Sequence, residues 1–474
     1  MNTSTPIIDI HIHPTLKPFG NSFYDNTNPR LVNDASCIWA VDRATEVDKT
    51  IENTLGISRY RQSDFKTLVQ GQVKVCIVSL YPVEKQFIKL KNPNLRFAQD
   101  FLAQFASLLG KKRIDVITHE SFNYFEDLKK EHHYLTTLNN QAATGGSHFY
   151  TLVQNNESLK IETNLLVIPS IEGCHCFCEG NNTQDINNWK NLDLNVLHVK
   201  NWDSPPMFVT MAHHFYNGLC THAKSLFETS GKLLDQSHGM RDYNINPTDG
   251  LPPISEIGYK LIDSLLSQAN GKRILIDVKH MSKEARNAFY QYLEKEEYIN
   301  EKIPVICSHG ALNIDTEYEI NLNFEDIRKI YKTKGLIGIE IDQRILGYNE
   351  KRFKKWLGRI FKGNQKECYE DAFYFWRQII NIAEYAYKNN LSEDPWECIC
   401  LGSDYDGVIN PLNRYRDAST LSVLYQNLII YLEKYWEKDN PVIPKNHSGK
   451  EATDVIYNIM YKNAYSFIER YYAS

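Results

Sequence analysis

About eight short runs rich in β-branched and other apolar residues recur along the chain: PIIDIHIH (6–13), QVKVCIVSLY (72–81), NLLVIPSIEG (164–173), LNVLHVK (194–200), RILIDVKH (273–280), IPVICSH (303–309), GLIGIEID (335–342) and WECICLGSDYDG (396–407). Helical or irregular stretches separate them. Near-continuous apolar runs suit parallel strands buried on both faces, and their alternation with helices suggests βα units. This is the strand number of a (β/α)8 TIM barrel, and it predicts one α/β barrel domain over residues 1–474. Two polar, Tyr-rich and less regular segments, 14–72 and 346–395, read as sizeable insertions or caps.

Composition bounds the function classes. With 474 residues, 42% hydrophobic and 23% charged, the chain can bury a large core. A net charge of -5 with scattered Lys and Arg argues against a nucleic-acid surface. MNTSTPIIDI has neither a basic n-region nor an apolar h-region, and no run approaches transmembrane length. The ten cysteines then read as thiols, and the expected setting is cytoplasmic, without a membrane partner.

The chemistry-bearing residues gather at one end of the runs. His11 and His13 are two apart in an extended stretch, so their rings aim at one spot, as metal ligands do. Glu172, His280, His309 and Asp404 also follow apolar runs, at the end where a barrel builds its active site. Each has an ordinary structural reading: Glu172 as a helix cap, His280 as a core histidine, Asp404 as a turn residue. Four histidines and two carboxylates on one face fit metal chemistry better.

The motifs IDIHIHP, SIEGCH, VTMAHHFYN, LIDVKHMS, VICSHGA and LGSDYDGV, in that order from residue 8 to 408, make the chain resemble the membrane (renal) dipeptidases. These are binuclear zinc metallopeptidases of the amidohydrolase superfamily. The resemblance implies a TIM barrel with two divalent ions, Zn2+ by expectation. His11, His13 and Glu172 would hold one ion, Glu172, His280 and His309 the other, with Glu172 bridging. It makes Asp404 the acid/base, and His213 the residue that stabilises the carbonyl oxyanion, with His214 the less favoured holder of that role. The expected partner is a dipeptide or another small molecule, and a homodimer is the assembly to be tested.

Two departures stand out. The family usually carries His-x-Asp on the first strand, and this chain has His-x-His. Ile320 stands where the family has an arginine for the substrate's carboxylate, which leaves Arg344, just after GLIGIEID, as the better substitute and Arg328 on a solvent-facing helix. The alternatives are an amidohydrolase acting on a non-peptide amide, lactone or phosphoester, or a metal- or ligand-binding barrel without turnover. Cys174, His175, Cys176 and Cys178 read as a loop beside the metal centre, not a separate zinc site. His132, His133 and HVKNWDSPP lack partners at ligand spacing, and His222 is either pocket-lining or structural.

Overall fold

The structure is a computed structural model that describes residues 5–45, 47–48, 58–88, 109–224, 250–314, 318–347, 367–447 and 449–473. Nine parallel strands form one sheet: β1 (Ile7–Ile12), β2 (Val73–Leu80), β3 (Tyr150–Leu152), β4 (Leu165–Glu172), β5 (Phe208–Thr210), β6 (Leu275–Asp277), β7 (Ile306–Gly310), β8 (Leu336–Ile339) and β9 (Ile399–Leu401). Pairing of β2 with β4, from Val75↔Leu166 to Leu80↔Ile171, and of β1 with β9 closes eight of them into a barrel with helices outside. The ninth, β3, lies beside the first half of β4, whose second half pairs with β5. The (β/α)8 barrel expected from the apolar runs is therefore the fold.

Strand burial explains the continuous apolar runs. Every residue of β1, β4 and β7 is buried, because one face fills the barrel and the other meets the helices. Close strand contact also requires small residues: a Cβ at Gly338 or Gly402 would lie 1.9 Å from the Ser308 carbonyl oxygen.

One run behaves differently. LNVLHVK belongs to the helix Leu192–Lys200, and the barrel strand of this region is β5. Leu192, Asn195, Val196 and Val199 are buried while Leu194 is exposed, which is helical periodicity. Asp193 in its first turn and Lys200 in its last complement the helix dipole. At three residues, neither β3 nor β5 is long enough to show a period.

Between β1 and β2, the helices Leu16–Asn21 and Phe65–Gln70 frame the segment read as an insertion. Of the second segment, 348–366 lies outside the described residues; the helix Glu367–Lys388 follows. The nine cysteines among the described side chains are free and buried. No helix among the described residues is long and apolar enough to cross a membrane.

Candidate metal centre

Glu172 ends β4 with its side chain only 4% exposed, and five histidines surround its carboxylate. Oε1 lies 3.5 Å from His11 Nε2, 3.5 Å from His280 Nε2 and 3.6 Å from His309 Nε2. Oε2 lies 3.0 Å from His13 Nε2 and 3.6 Å from His213 Nε2. Asp404 completes the group, its Oδ1 3.4 Å from His13 Nε2 and 3.7 Å from His11 Nε2. The structure thus brings together residues from β1, β4, β5, β6, β7 and β9 at the C-terminal mouth of the barrel.

The donor set fits divalent metal. His11 and His13 present Nε2 atoms to each other at 3.1 Å, and the buried Nδ1 atoms of His11, His13 and His280 have no hydrogen-bond partner. His11, His13 and Asp404 form one group able to hold an ion, and Glu172, His280 and His309 another. Imidazole and carboxylate are the donors zinc accepts. Burial would raise the Glu172 carboxyl, but the facing rings of His213, His13 and His11 hold it well below the usual range. Burial depresses His280 and His309, favouring the neutral form a ligand needs. Burial also works against charge on His13, yet Glu172 and Asp404 push it up to about 10, so proton and cation compete for its Nε2.

Several supporting residues were not legible in the sequence. Glu84 Oε2 lies 2.5 Å from His213 Nδ1 and accepts from the Tyr81 hydroxyl at 3.1 Å, which fixes the ring that points Nε2 at Glu172. Asp277 accepts from Thr210 Oγ1 at 2.9 Å, Ser308 Oγ at 2.5 Å and the Ser308 and Lys279 amides, both at 3.0 Å. Lys279 Nζ pairs with Glu340 Oε2 at 3.0 Å, both side chains at most 3% exposed. Burial raises the Glu340 carboxyl, and the Lys279 ammonium beside it opposes that rise. Asp277 and Lys279 did leave a signal, as polar residues inside RILIDVKH; Glu84 left none.

The other candidates have structural partners. Arg344 is clamped by Asp342, with Nε 3.0 Å from both carboxylate oxygens and Nη2 2.5 Å from Oδ2. Ile320 is 5% exposed in the core, and Arg328 faces solvent with Nη2 donating to the Tyr385 hydroxyl at 3.0 Å. His214, half-buried, packs against His213 and Phe87 with centroids 4.1 and 5.2 Å away. His222 is buried and bridges to Met281, next to His280. His132 stacks on Trp202 at 3.6 Å, and His133 is exposed. Cys174, Cys176 and Cys178 are buried around a short turn, their thiols pushed up by burial, and none joins a metal-capable group among the described residues. His175 Nε2 lies 2.8 Å from the Pro82 carbonyl oxygen.

Residues 248–440 match the family model of the membrane dipeptidases, peptidase family M19. That part of the chain, about two fifths of its length, is similar to the membrane dipeptidases. The matched region includes His280, His309 and Asp404, while His11, His13, Glu172 and His213 precede it. Similar solved structures have the same fold: the dipeptidase AC, a metallo peptidase of family M19 (TM-score 0.52, 11% identity, 99% of this chain and 100% of the other); the probable dipeptidase PvdM from Pseudomonas aeruginosa (0.53, 11%, 99% and 95%); and a metallo peptidase from Rhodobacter sphaeroides liganded with a phosphinate mimic of the dipeptide L-Ala-D-Ala (0.51, 12%, 98% and 99%). No curated protein sequence matches.

The buried Lys279–Glu340 pair beside the histidines can be tested directly. Removing one partner of such a pair strands a charge, whereas removing both does not. Lys279→Met is expected to lower the unfolding free energy by about 3–5 kcal/mol, with Lys279→Met/Glu340→Gln recovering much of the loss. Equal denaturant midpoints for parent and single variant would show that the pair is not a compensated buried charge.

Proposed function

We propose that this chain is a metal-dependent hydrolase that cleaves a dipeptide or a related amide bond. The observation that carries the reading is the Glu172 carboxylate, with one oxygen facing His11, His280 and His309 and the other His13 and His213, and with Asp404 at the rim. His11, His13 and Glu172 would hold one divalent ion and Glu172, His280 and His309 a second, zinc by the nature of the donors. Bound there, the ions would supply hydroxide at neutral pH and polarise the scissile carbonyl.

The chain's own residues do the rest. Asp404, with a side chain 11% exposed, is the most accessible carboxylate of the group and takes a proton from the attacking water, then passes it to the leaving amine. His213, anchored through Nδ1 by Glu84, turns Nε2 towards the developing oxyanion. Barrel burial excludes bulk water from these charges, which strengthens each of them.

Substrate choice follows from two side chains. A terminal carboxylate in the pocket needs a cationic partner, because an unpaired buried charge costs several kcal/mol. Ile320 provides none, and Arg344 is already bound to Asp342. The favoured substrate is therefore neutral at that end, an amidated dipeptide or another neutral amide.

Three outcomes check this. Zinc-loaded protein is expected to carry two ions per chain by metal analysis, and His280→Ala mainly one; a parent with one ion or fewer contradicts the bridging role of Glu172. Asp404→Asn is expected to keep its zinc while turnover falls by roughly two orders of magnitude or more, the usual reach of general acid–base catalysis. Unchanged turnover removes Asp404 from the mechanism. Finally, kcat/KM should be higher for a dipeptide amide than for the free dipeptide. A strong preference for the free acid that disappears in Arg344→Ala would instead make Arg344 the carboxylate's partner.

A further inference from the structure

The loop that carries Asp404 has an unusual backbone. Asp404, Asp406 and Val408 all adopt positive φ, at 60°, 68° and 63°. None is glycine, and for a β-branched residue such as Val408 this region is a true outlier. Residues stay in such conformations only where their surroundings over-determine them. The glycine of the loop, Gly407, serves another purpose: a Cβ there would lie 2.1 Å from Asp404 Oδ1, so the Asp404 carboxylate folds back over Gly407.

Two sets of contacts fix the loop. The first is backbone: the Asp404 amide donates to the His11 carbonyl at 2.9 Å, and the His13 amide to the Tyr405 carbonyl at 2.8 Å. The second converges on Asp406. Its Oδ1 accepts from Lys17 Nζ at 2.7 Å and the Gln62 amide at 3.1 Å; its Oδ2 accepts from the Ser63 amide at 2.8 Å and Ser63 Oγ at 2.7 Å. The Asp406 amide in turn donates to Gln62 Oε1 at 2.8 Å. Lys17 and Asp406 side chains are each 3% exposed, so this charge faces neither solvent nor substrate. Lys17, Gln62 and Ser63 all come from the segment between β1 and β2, which the barrel itself does not need.

We propose that Asp406 is a positioning residue, through which Lys17, Gln62 and Ser63 hold the Asp404 carboxylate in its reactive orientation above Gly407. This rests on the acid/base reading of Asp404. Asp406 touches no reacting atom; it acts through the backbone two residues away. The segment after β1 thus has a catalytic duty: Lys17 lies four residues beyond His13 and ties the strand end that carries the His-x-His pair to the loop that carries the proton-transfer group.

The test uses the full chain, zinc-loaded, with Asp406→Asn, Gly407→Ala and Asp404→Asn, singly and combined, on a dipeptide and its amide. Asp406→Asn is expected to lower kcat at least about tenfold, with KM within about twofold and zinc content unchanged, as for lost orientation of a catalytic group. In the Asp404→Asn background, neither Asp406→Asn nor Gly407→Ala should cause a further loss, because residues that act as one unit are non-additive. A kcat within about twofold of the parent, or an equal loss in both backgrounds, overturns the proposal. Should Asp406→Asn not fold, Ser63→Ala, which removes the hydroxyl that donates to Asp406 Oδ2 at 2.7 Å, decides by the same criteria. Crystal structures of the variants supply a readout independent of turnover. Asp404 is expected to leave its positive φ, or its Oδ1 to withdraw from the 3.4 Å separation from His13 Nε2. An unmoved Asp404 overturns the proposal even if the parent hydrolyses no amide, an outcome that by itself defeats only the proposed function.

Discussion

A carboxylate buried among five imidazoles is the constraint on which this barrel mouth depends. Glu172 sits at the end of β4, with Oε1 facing His11, His280 and His309 and Oε2 facing His13 and His213. An ionised carboxylate removed from water is costly unless charge or donors meet it. Those rings provide them, and divalent cations held among them would satisfy both the carboxylate and the imidazole lone pairs. Six strand ends must therefore converge within a few ångströms, which a closed parallel barrel achieves because all its strands finish at the same mouth.

Around that centre, oppositely charged buried pairs set the local field. Lys279–Glu340 places a cation beside the histidines, Glu84 anchors His213, and Arg344 is tied to Asp342. The Lys17–Asp406 pair acts at longer reach, since it fastens the segment after β1 to the loop after β9. These pairs are supports for reactive groups more than sources of net stability, because desolvation offsets much of their attraction.

The barrel and the ring of candidate ligands were legible because both follow short periods. A His-x-His pair on a strand puts two rings on one face, and apolar runs mark where strands end. LNVLHVK was misread because a short apolar run fits a strand and a helix equally well, and only burial of Leu192, Val196 and Val199 reveals the helical face. Glu84 could not be found from sequence, since it meets His213 across 129 positions, and the Lys279–Glu340 pair spans 61. Such contacts are products of barrel closure, which no local pattern encodes. The role of Asp406 was hidden likewise: GSDYDG announces a turn, but not that its second aspartate is gripped by residues 17, 62 and 63.

The most direct measurement is anomalous diffraction at the zinc absorption edge from crystals of the zinc-loaded chain. Expected are two peaks flanking the Glu172 carboxylate, one within ligand distance of His11 and His13 and one of His280 and His309. A single peak, or none at Glu172 with density at the Cys174, Cys176 and Cys178 turn instead, would contradict a carboxylate-bridged pair of ions as the centre of this protein.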